Sequence, residues 1–213
     1  LVGSEMCIRD RAKGIWQTVY LEARPATFLR SLQFTPDVEK ALATVRATFS
    51  AAAPAGSVLR LRFKTGGVPE VSQPVPADAA AVSFDVPIPR PQLWTLEDPF
   101  LYEVEASLTT PGGEDRVATY FGLRTISVMN LPGTDFPYIA LNGRPVYLQM
   151  CLDQAYHPDG FYTFPSDAFM RDEILRSKQI GLNANRVHVK IEVPRKLYWA
   201  DRLGLLIMAD VPN

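Results

Sequence analysis

The fold is decided by three consecutive segments, Asn185-Arg-Val-His-Val-Lys, Pro194-Arg-Lys-Leu-Tyr-Trp-Ala-Asp-Arg-Leu-Gly and Leu205-Leu-Ile-Met-Ala-Asp-Val. The first segment is a strand candidate, and the third is a continuous apolar run of the kind that is buried in parallel sheets. The middle segment predicts a helix, because proline begins it and Gly204 follows its end. A strand, a helix and a strand in this order predict a parallel βαβ unit.

The same alternation extends back to Tyr138. Two short apolar runs flank Asn142-Gly143, which is a strong hairpin signal. The segment from Ser166 to Gly181 predicts a second helix, since it opens with a capping residue and closes with glycine. An eight-stranded barrel is one architecture that grows in this way, and about three of its strands would be present. We therefore expect the chain to stop short of a complete barrel.

Residues 25–128 predict an antiparallel sandwich of the immunoglobulin type. Short segments alternate in polarity, as in Val45, Ala47 and Phe49, and turn residues separate them. About seven such strands in about 100 residues are typical of this fold. The candidate strands are residues 28–38, 41–50, 58–64, 81–87, 102–108 and 116–126. The polar segment that begins at Met129 contains Pro132 and Gly133, so we predict a domain boundary there and assign residues 129–213 to the incomplete barrel.

The first 24 residues divide into two parts. Residues 1–11 have neither helical nor strand periodicity and are expected to be a non-native leader, because they resemble translated adapter sequence. Residues 12–24 contain Gly14-Ile-Trp-Gln-Thr-Val-Tyr-Leu-Glu, which alternates with period two and predicts a strand. One strand cannot form a domain, so this strand is expected to complete a sheet formed elsewhere.

Composition excludes several classes of function. The chain has 213 residues, a net charge of −1 and 47% apolar residues, which indicates a globular protein without affinity for nucleic acid. No apolar run reaches the roughly 18–20 residues that span a bilayer. Cys7 and Cys151 form no disulfide framework, and Cys151 is expected to be a small core residue. The two histidines form no metal-ligand cluster and no phosphate loop is present, so no metal and no cofactor are expected.

Four ordered motifs resemble the family 2 glycoside hydrolases, which include β-galactosidase, β-glucuronidase and β-mannosidase. Their order and spacing match the family over nearly all of residues 14–213. The motifs are Gly14-Ile-Trp-Gln-Thr-Val-Tyr-Leu-Glu, Leu93-Trp-Thr-Leu-Glu-Asp-Pro-Phe-Leu-Tyr, Phe121-Gly-Leu-Arg-Thr-Ile with Leu141-Asn-Gly-Arg-Pro-Val-Tyr-Leu, and Gly181-Leu-Asn-Ala-Asn-Arg-Val-His with Tyr198-Trp-Ala-Asp-Arg-Leu-Gly-Leu-Leu-Ile.

The resemblance implies a fragment of a retaining exo-β-glycosidase. Residues 12–24 would be the last strand of a sugar-binding jelly roll, followed by the sandwich and the first part of a TIM barrel. The family uses two glutamates about 5–5.5 Å apart, and the resemblance places both beyond Asn213. No catalytic residue is therefore assigned in this chain, and Glu173 and Glu192 are expected to be structural or solvated. The partner would be a carbohydrate substrate, and the full-length protein could form a homo-oligomer.

The predicted substrate-binding residues are Asp153, Arg186, His188 and Asp210, at the carboxyl ends of the three barrel strands. The resemblance implies that an arginine and a histidine of the second strand face the sugar. Arg186 matches the family position, with an inter-strand salt bridge as its alternative role, and His188 lies two residues on where some members have three. Asp153 could bind a sugar hydroxyl or cap its loop. Lys190 is expected to face solvent.

The chain departs from the family at one place, and an alternative function is open. The first barrel strand ends in Leu152-Asp-Gln-Ala, where the best-known members have Asn-Arg-His-Glu, which weakens a transfer of β-galactosidase specificity. The alternative function is a non-catalytic carbohydrate-binding or interaction protein built on the sandwich. The unpaired edges of an open three-stranded remnant argue against it, because such edges promote aggregation.

Overall fold

The computed structural model describes residues 15, 18–154 and 156–210. The chain divides into two compact units. The sandwich unit contains Glu22–Thr95 and Phe100–Val146, and the α/β unit contains Leu96–Pro99 and the residues from Tyr147 onward.

Two antiparallel sheets form the body of the sandwich unit. One sheet has the strand order β1-β2-β5 and the other has the order β4-β3-β6-β7. Both sheets contribute to one apolar core, in which Val45, Leu59, Leu61 and Leu108 are fully buried. The strands are β1 Leu29–Asp37, β2 Leu42–Phe49, β3 Val58–Phe63, β4 Val71–Pro74, β5 Ala81–Pro87, β6 Tyr102–Thr110 and β7 Gly113–Phe121.

The six predicted strands of this unit are present, and β4 is an additional one. Sequence reasoning placed no strand between residues 64 and 81, yet Pro74 pairs with Val58 as the last residue of β4. The pairing is tolerated because β4 lies at the edge of its sheet, where a missing N–H breaks no ladder. The last predicted strand, residues 116–126, is also displaced, since β7 begins at Gly113 directly after a tight turn.

A small antiparallel sheet forms the last part of the sandwich unit along the chain. It contains β8 Ile126–Asn130, β9 Pro137–Leu141 and β10 Arg144–Pro145. Asn142 and Gly143 both have positive φ angles, 52° and 72°, as the predicted hairpin requires. The segment that sequence reasoning assigned to a boundary at residue 129 instead connects β8 to β9. The compact units divide after Val146.

The α/β unit has the predicted order of strands and helices. Its elements are β11 Met150–Asp153, α1 Asp167–Gln179, β12 Ala184–Val187, α2 Pro194–Leu203 and β13 Leu206–Ala209. The three strands are parallel and adjacent in the order β11-β12-β13. Sequence signals correctly predict the start of α1 and the end of α2. The Ser166 hydroxyl accepts the Phe169 N–H at the start of α1, and Gly204 ends α2 with a φ of 75°.

The interior of the α/β unit contains charged groups. Its apolar cluster consists of Ile174, Ala200 and Leu205. Three charged residues, Lys190, Glu192 and Lys196, are buried as well. The expectation that Lys190 faces solvent is therefore wrong, since only 5% of it is exposed. The expectation that Cys151 is a core residue is also wrong, because it is exposed on β11, an edge strand of this sheet. No helix within the described ranges is both long and apolar enough to cross a membrane.

Candidate functional site

The carboxyl ends of the three parallel strands bring the predicted site residues to one edge of the sheet. Asp153 is the last residue of β11, Arg186 lies on β12, and Asp210 directly follows β13. Backbone hydrogen bonds fix this register: His188 N–H donates to the Asp153 carbonyl at 2.9 Å, and Asp210 N–H donates to the Val187 carbonyl at 3.0 Å. In parallel α/β sheets this edge is where ligands bind.

Arg186 and Asp210 form a bidentate ion pair across neighbouring strands. Arg186 Nε donates to Oδ1 at 3.0 Å and Nη2 donates to Oδ2 at 2.9 Å. These hydrogen bonds hold the pKa of Asp210 below its usual range and raise the pKa of Arg186. The inter-strand salt bridge that we considered for Arg186 is thus present. Its side chain is nevertheless 46% exposed, so the guanidinium also remains accessible to a ligand.

His188 is connected to the end of the neighbouring strand. Its Nδ1 lies 3.0 Å from Gln154 Oε1. The next residue, Val189, has a φ of 48°, which is a strained conformation for a β-branched side chain. The Val189 N–H contributes, after Arg186, to the lowered pKa of Asp210. The turn carries the chain from His188 at the sheet edge to Lys190 in the interior.

Asp153 belongs to a buried ionic cluster that sequence reasoning missed. Lys196 Nζ lies 2.5 Å from Asp153 Oδ2, 3.2 Å from Glu173 Oε2 and 3.6 Å from Glu192 Oε2. Burial lowers the pKa of Lys196, but attraction to the three carboxylates and the hydrogen bond to Asp153 outweigh this effect and raise the pKa overall. Asp153 therefore binds an ammonium group, whereas sequence reasoning considered a sugar hydroxyl or a loop cap.

A second lysine extends the cluster. Lys190 Nζ lies 3.1 Å from Glu192 Oε1 and packs over the rings of Tyr162 and Phe164, at 5.5 and 5.2 Å from their centroids. Glu192, which was expected to be structural or solvated, is buried and not solvated. The available sequence signal was the Glu192–Lys196 spacing, since charges four residues apart can pair along a helix.

The other histidine of the chain packs within its own loop. His157 Nδ1 accepts the N–H groups of Asp159 and Gly160, each at 3.2 Å, and its ring meets the Phe169 ring edge-on at 5.1 Å. Within the part of the chain that the structure describes, no group of three or more potential ligands could hold a metal ion.

The sheet edge thus presents a mixed set of polar groups. The guanidinium of Arg186 supplies donors, and the carboxylates of Asp153 and Asp210 supply acceptors. Each of these two carboxylates is bound to a cation, an arrangement that suits holding a polar ligand better than donating a proton. Donors and acceptors alternating in this way match a hydroxyl-rich molecule.

Comparisons with known proteins identify relatives of this chain. The family model described as "Glycosyl hydrolases family 2" matches residues 27–124, which include β1–β7. "Beta-galactosidase 2" of Enterobacter cloacae is 30% identical over 127 residues, which cover 59% of this chain and 12% of that protein. A β-galactosidase of Arthrobacter sp. (strain B7) is 28% identical over 197 residues, which cover 92% of this chain and 18% of that protein. The chain therefore spans less than a fifth of the length of these two relatives.

Solved structures extend the likeness of fold to most of the chain. A β-glucuronidase from Parabacteroides merdae matches with a TM-score of 0.70 and 18% identity, over 87% of this chain and 24% of that one. A family 2 β-galacturonidase from Eisenbergiella tayi matches with a TM-score of 0.69 and 21% identity, over 87% of this chain and 32% of that one. The family model, which matches just under half of the chain, and the β-galactosidase relatives show that this chain is similar to family 2 glycosyl hydrolases, and the solved structures show a similar fold.

Proposed function

We propose that this chain is part of a retaining exo-β-glycosidase and supplies one wall of its sugar-binding pocket. The observation that carries the proposal is the Arg186–Asp210 pair at the carboxyl edge of three parallel strands, in a chain that is similar to family 2 glycosyl hydrolases. Neighbouring groups at the same edge are Asp153 and the His188–Gln154 pair. A pocket that binds sugar hydroxyls needs donors and acceptors of this kind.

The proposed architecture is an immunoglobulin-like sandwich followed by a (β/α)8 barrel. Three adjacent parallel strands joined by helices support the barrel, because barrels are built by repeating this unit. In such a barrel, the edge that carries Arg186 and Asp210 would face the substrate. The polar residues at the ends of β11–β13 then belong to one pocket with the strands that complete the barrel.

The proposed mechanism is hydrolysis with two glutamates supplied by later strands. One carboxyl group protonates the departing glycosidic oxygen and the other attacks the anomeric carbon, at a separation of about 5–5.5 Å. Asp153 and Asp210 do not take these roles, because each carboxylate is already bound to a cation. Arg186 acts instead by positioning the substrate and by balancing negative charge near the catalytic glutamates.

The proposed substrate class is a β-linked hexose or hexuronic acid. The two curated relatives reported above are named β-galactosidases, and the two solved structures are a β-glucuronidase and a β-galacturonidase. The shared chemistry is a pyranose with several hydroxyl groups in β linkage. The four nitrophenyl substrates that test it are the β-galactoside, β-glucuronide, β-galacturonide and β-mannoside.

The test is activity of the complete protein that contains this chain, compared with its Arg186→Met variant. We expect turnover of at least one of the four substrates and a loss of about 100-fold or more in kcat/KM in the variant, equal to about 2.7 kcal/mol of transition-state stabilisation. Arg171→Met is the matched control, because Arg171 is a half-exposed arginine of α1 that pairs with Asp172. It should retain activity within about twofold.

Three results would contradict the proposal. The first is no turnover by the complete protein, and binding of a free sugar in that case would favour a carbohydrate-binding protein. The second is turnover by the 213-residue chain alone, since the catalytic glutamates are proposed to lie outside it. The third is an equal effect of the Arg171 and Arg186 variants.

A further inference from the structure

Lys196 is a charged side chain that cannot contact a ligand. Only 1% of its side chain is exposed, and it lies in the first turn of α2, where its N–H donates to the Val193 carbonyl. Burying an ammonium group is costly unless carboxylates surround it. Its effect on any reaction must therefore pass through the groups that it binds.

The group closest to Lys196 is a predicted substrate ligand. Asp153 Oδ2 lies 2.5 Å from Nζ, while the Asp153 side chain remains 19% exposed at the end of β11. This carboxylate therefore connects the buried cluster to the sheet edge that carries Arg186. Since Lys196 holds one carboxylate oxygen, it restricts the rotation of the Asp153 side chain.

Lys196 is itself held in place from several sides. Glu192 and Glu173 lie 3.6 and 3.2 Å from its Nζ, and the Phe164 ring centroid lies 4.7 Å away. Glu192 is in turn fixed by the Val193 N–H, which donates to its Oε1 at 2.8 Å, and by Lys190. These contacts confine the ammonium group of Lys196, whereas the ammonium group of a solvent-exposed lysine is not confined in this way.

The composition of the cluster indicates why it is not a simple stabilising element. Three carboxylates, from Asp153, Glu173 and Glu192, share the two ammonium groups of Lys190 and Lys196. Well-packed apolar residues often replace buried ion pairs without loss of stability. An ionic interior that ends on a residue of the sheet edge is therefore better explained by orientation of that residue.

We propose that Lys196 is a positioning residue that orients the Asp153 carboxylate for binding of a substrate hydroxyl group. This inference rests on the proposed function, since it assigns Asp153 to the sugar pocket. Lys196 makes no contact with the substrate and acts only through Asp153. The effects of removing the two residues are therefore coupled.

The test is a double-mutant cycle in the complete protein, with kcat and KM measured on its best nitrophenyl β-glycoside. Lys196→Met and Asp153→Asn should each raise KM about tenfold and change kcat less than about threefold. The double variant should also show about a tenfold increase, because the second change removes an interaction that is already lost. A purely structural role would make the two effects multiply to about 100-fold, which would overturn the proposal.

Two further variants keep the test decisive. If Lys196→Met does not fold, the combined variant Lys196→Met/Glu192→Gln takes the place of Lys196→Met in the cycle. This variant removes one carboxylate together with the ammonium group. Arg195→Met is the matched control, because the neighbouring arginine pairs with Asp167 on the outside of the helices. Its KM should not change, and an increase equal to that of Lys196→Met would also overturn the proposal.

The failure of the proposed function gives a different result. Wild-type protein without turnover contradicts the function, and the same cycle is then measured on the dissociation constants of galactose and glucuronic acid. Coupled losses of affinity support the positioning role without catalysis. Additive losses, or no binding of either sugar to the wild type, overturn the inference itself.

Discussion

The two units of this protein have interiors of opposite character. In the sandwich unit, alternate residues of both sheets meet in a continuous apolar core, with Leu59 and Leu108 fully buried. In the α/β unit, a small apolar cluster around Ile174 lies in the same unit as a buried ionic cluster around Lys196. The sandwich unit is mainly apolar inside, with Asp115 buried and paired with Arg24, whereas several paired charges are buried in the α/β unit.

This difference shows where each unit tolerates change. Burial of apolar surface is non-directional, so the sandwich core depends on volume and on the alternation of its strands. The stability of an ionic cluster depends on the positions of its charged groups. A buried group that loses its partner still carries the full free-energy cost of its desolvation. In the α/β unit, this sensitive cluster lies next to the carboxyl ends of the strands, where the candidate substrate-binding residues are.

The largest expected effect is the loss of Lys196. In the 213-residue chain, Lys196→Met should lower the free energy of unfolding of the α/β unit by about 3–5 kcal/mol, because the buried Glu192 and the partly buried Asp153 and Glu173 lose the ammonium group that they share. Urea denaturation combined with hydrogen exchange of the β11–β13 amides measures this loss. Arg195→Met removes a half-exposed pair and should cost less than about 1 kcal/mol. Equal losses in the two variants would mean that the buried cluster has no special role.

A smaller effect is expected from the apolar interior. Leu59→Ala should lower the free energy of unfolding of the sandwich unit by about 3 kcal/mol, because it leaves a cavity between the two sheets. Arg60→Ala, the exposed neighbour on β3, should stay within about 0.5 kcal/mol. Protection of the β2 and β6 amides reports this change. A loss after Leu59→Ala that matched the Arg60 control would contradict the assignment of this residue to the core.

The smallest effect is a pH dependence at the surface of the α/β unit. Hydrogen bonds from Arg195 and from the Trp199 indole lower the pKa of Asp167 to about 2. A lowered folded-state pKa gives stability that is complete above the ordinary value of 3.8 and is lost as pH falls through about 2. Unfolding midpoints measured from pH 5 to pH 2 should therefore fall less steeply for Asp167→Asn than for the wild type. Arg195→Met, which removes the partner, should flatten the curve in the same way, and unchanged curves in both variants would refute the assignment.

The sequence predicted elements well where the signal was local. Ser166 and Gly204 mark helix ends through their own backbone requirements, and Asn142-Gly143 forces a tight hairpin, so each was recognised without a partner. β4 was missed because a proline is acceptable only at a sheet edge, and edge position depends on the neighbouring strands. The predicted boundary at Met129 differs from the structural division because the connection after Met129 is short and joins β8 to β9 in one sheet of the sandwich unit.

The residues of the candidate site also divide into those that the sequence predicted and those that it did not. Arg186 and Asp210 were selected because both follow or end parallel strands, a position that the order of elements reveals. Their bidentate pairing was only one of two possibilities at that point. Lys190 was assigned to solvent, where lysine side chains are mostly found. The left-handed turn at Val189 reverses that expectation by directing Lys190 inward toward Glu192.

The sequence by itself determined the resemblance to family 2 glycoside hydrolases, the succession of strands and helices, and the residues at the strand ends, since these depend on local propensities and ordered motifs. Only the tertiary structure decided which charges meet. Glu173, Glu192 and Lys196 are separated along the chain from Asp153 by 20 to 43 residues, and nothing in their local sequence requires them to share one interior. Burial selects their pairing, because away from water each charge is stable only beside its opposite.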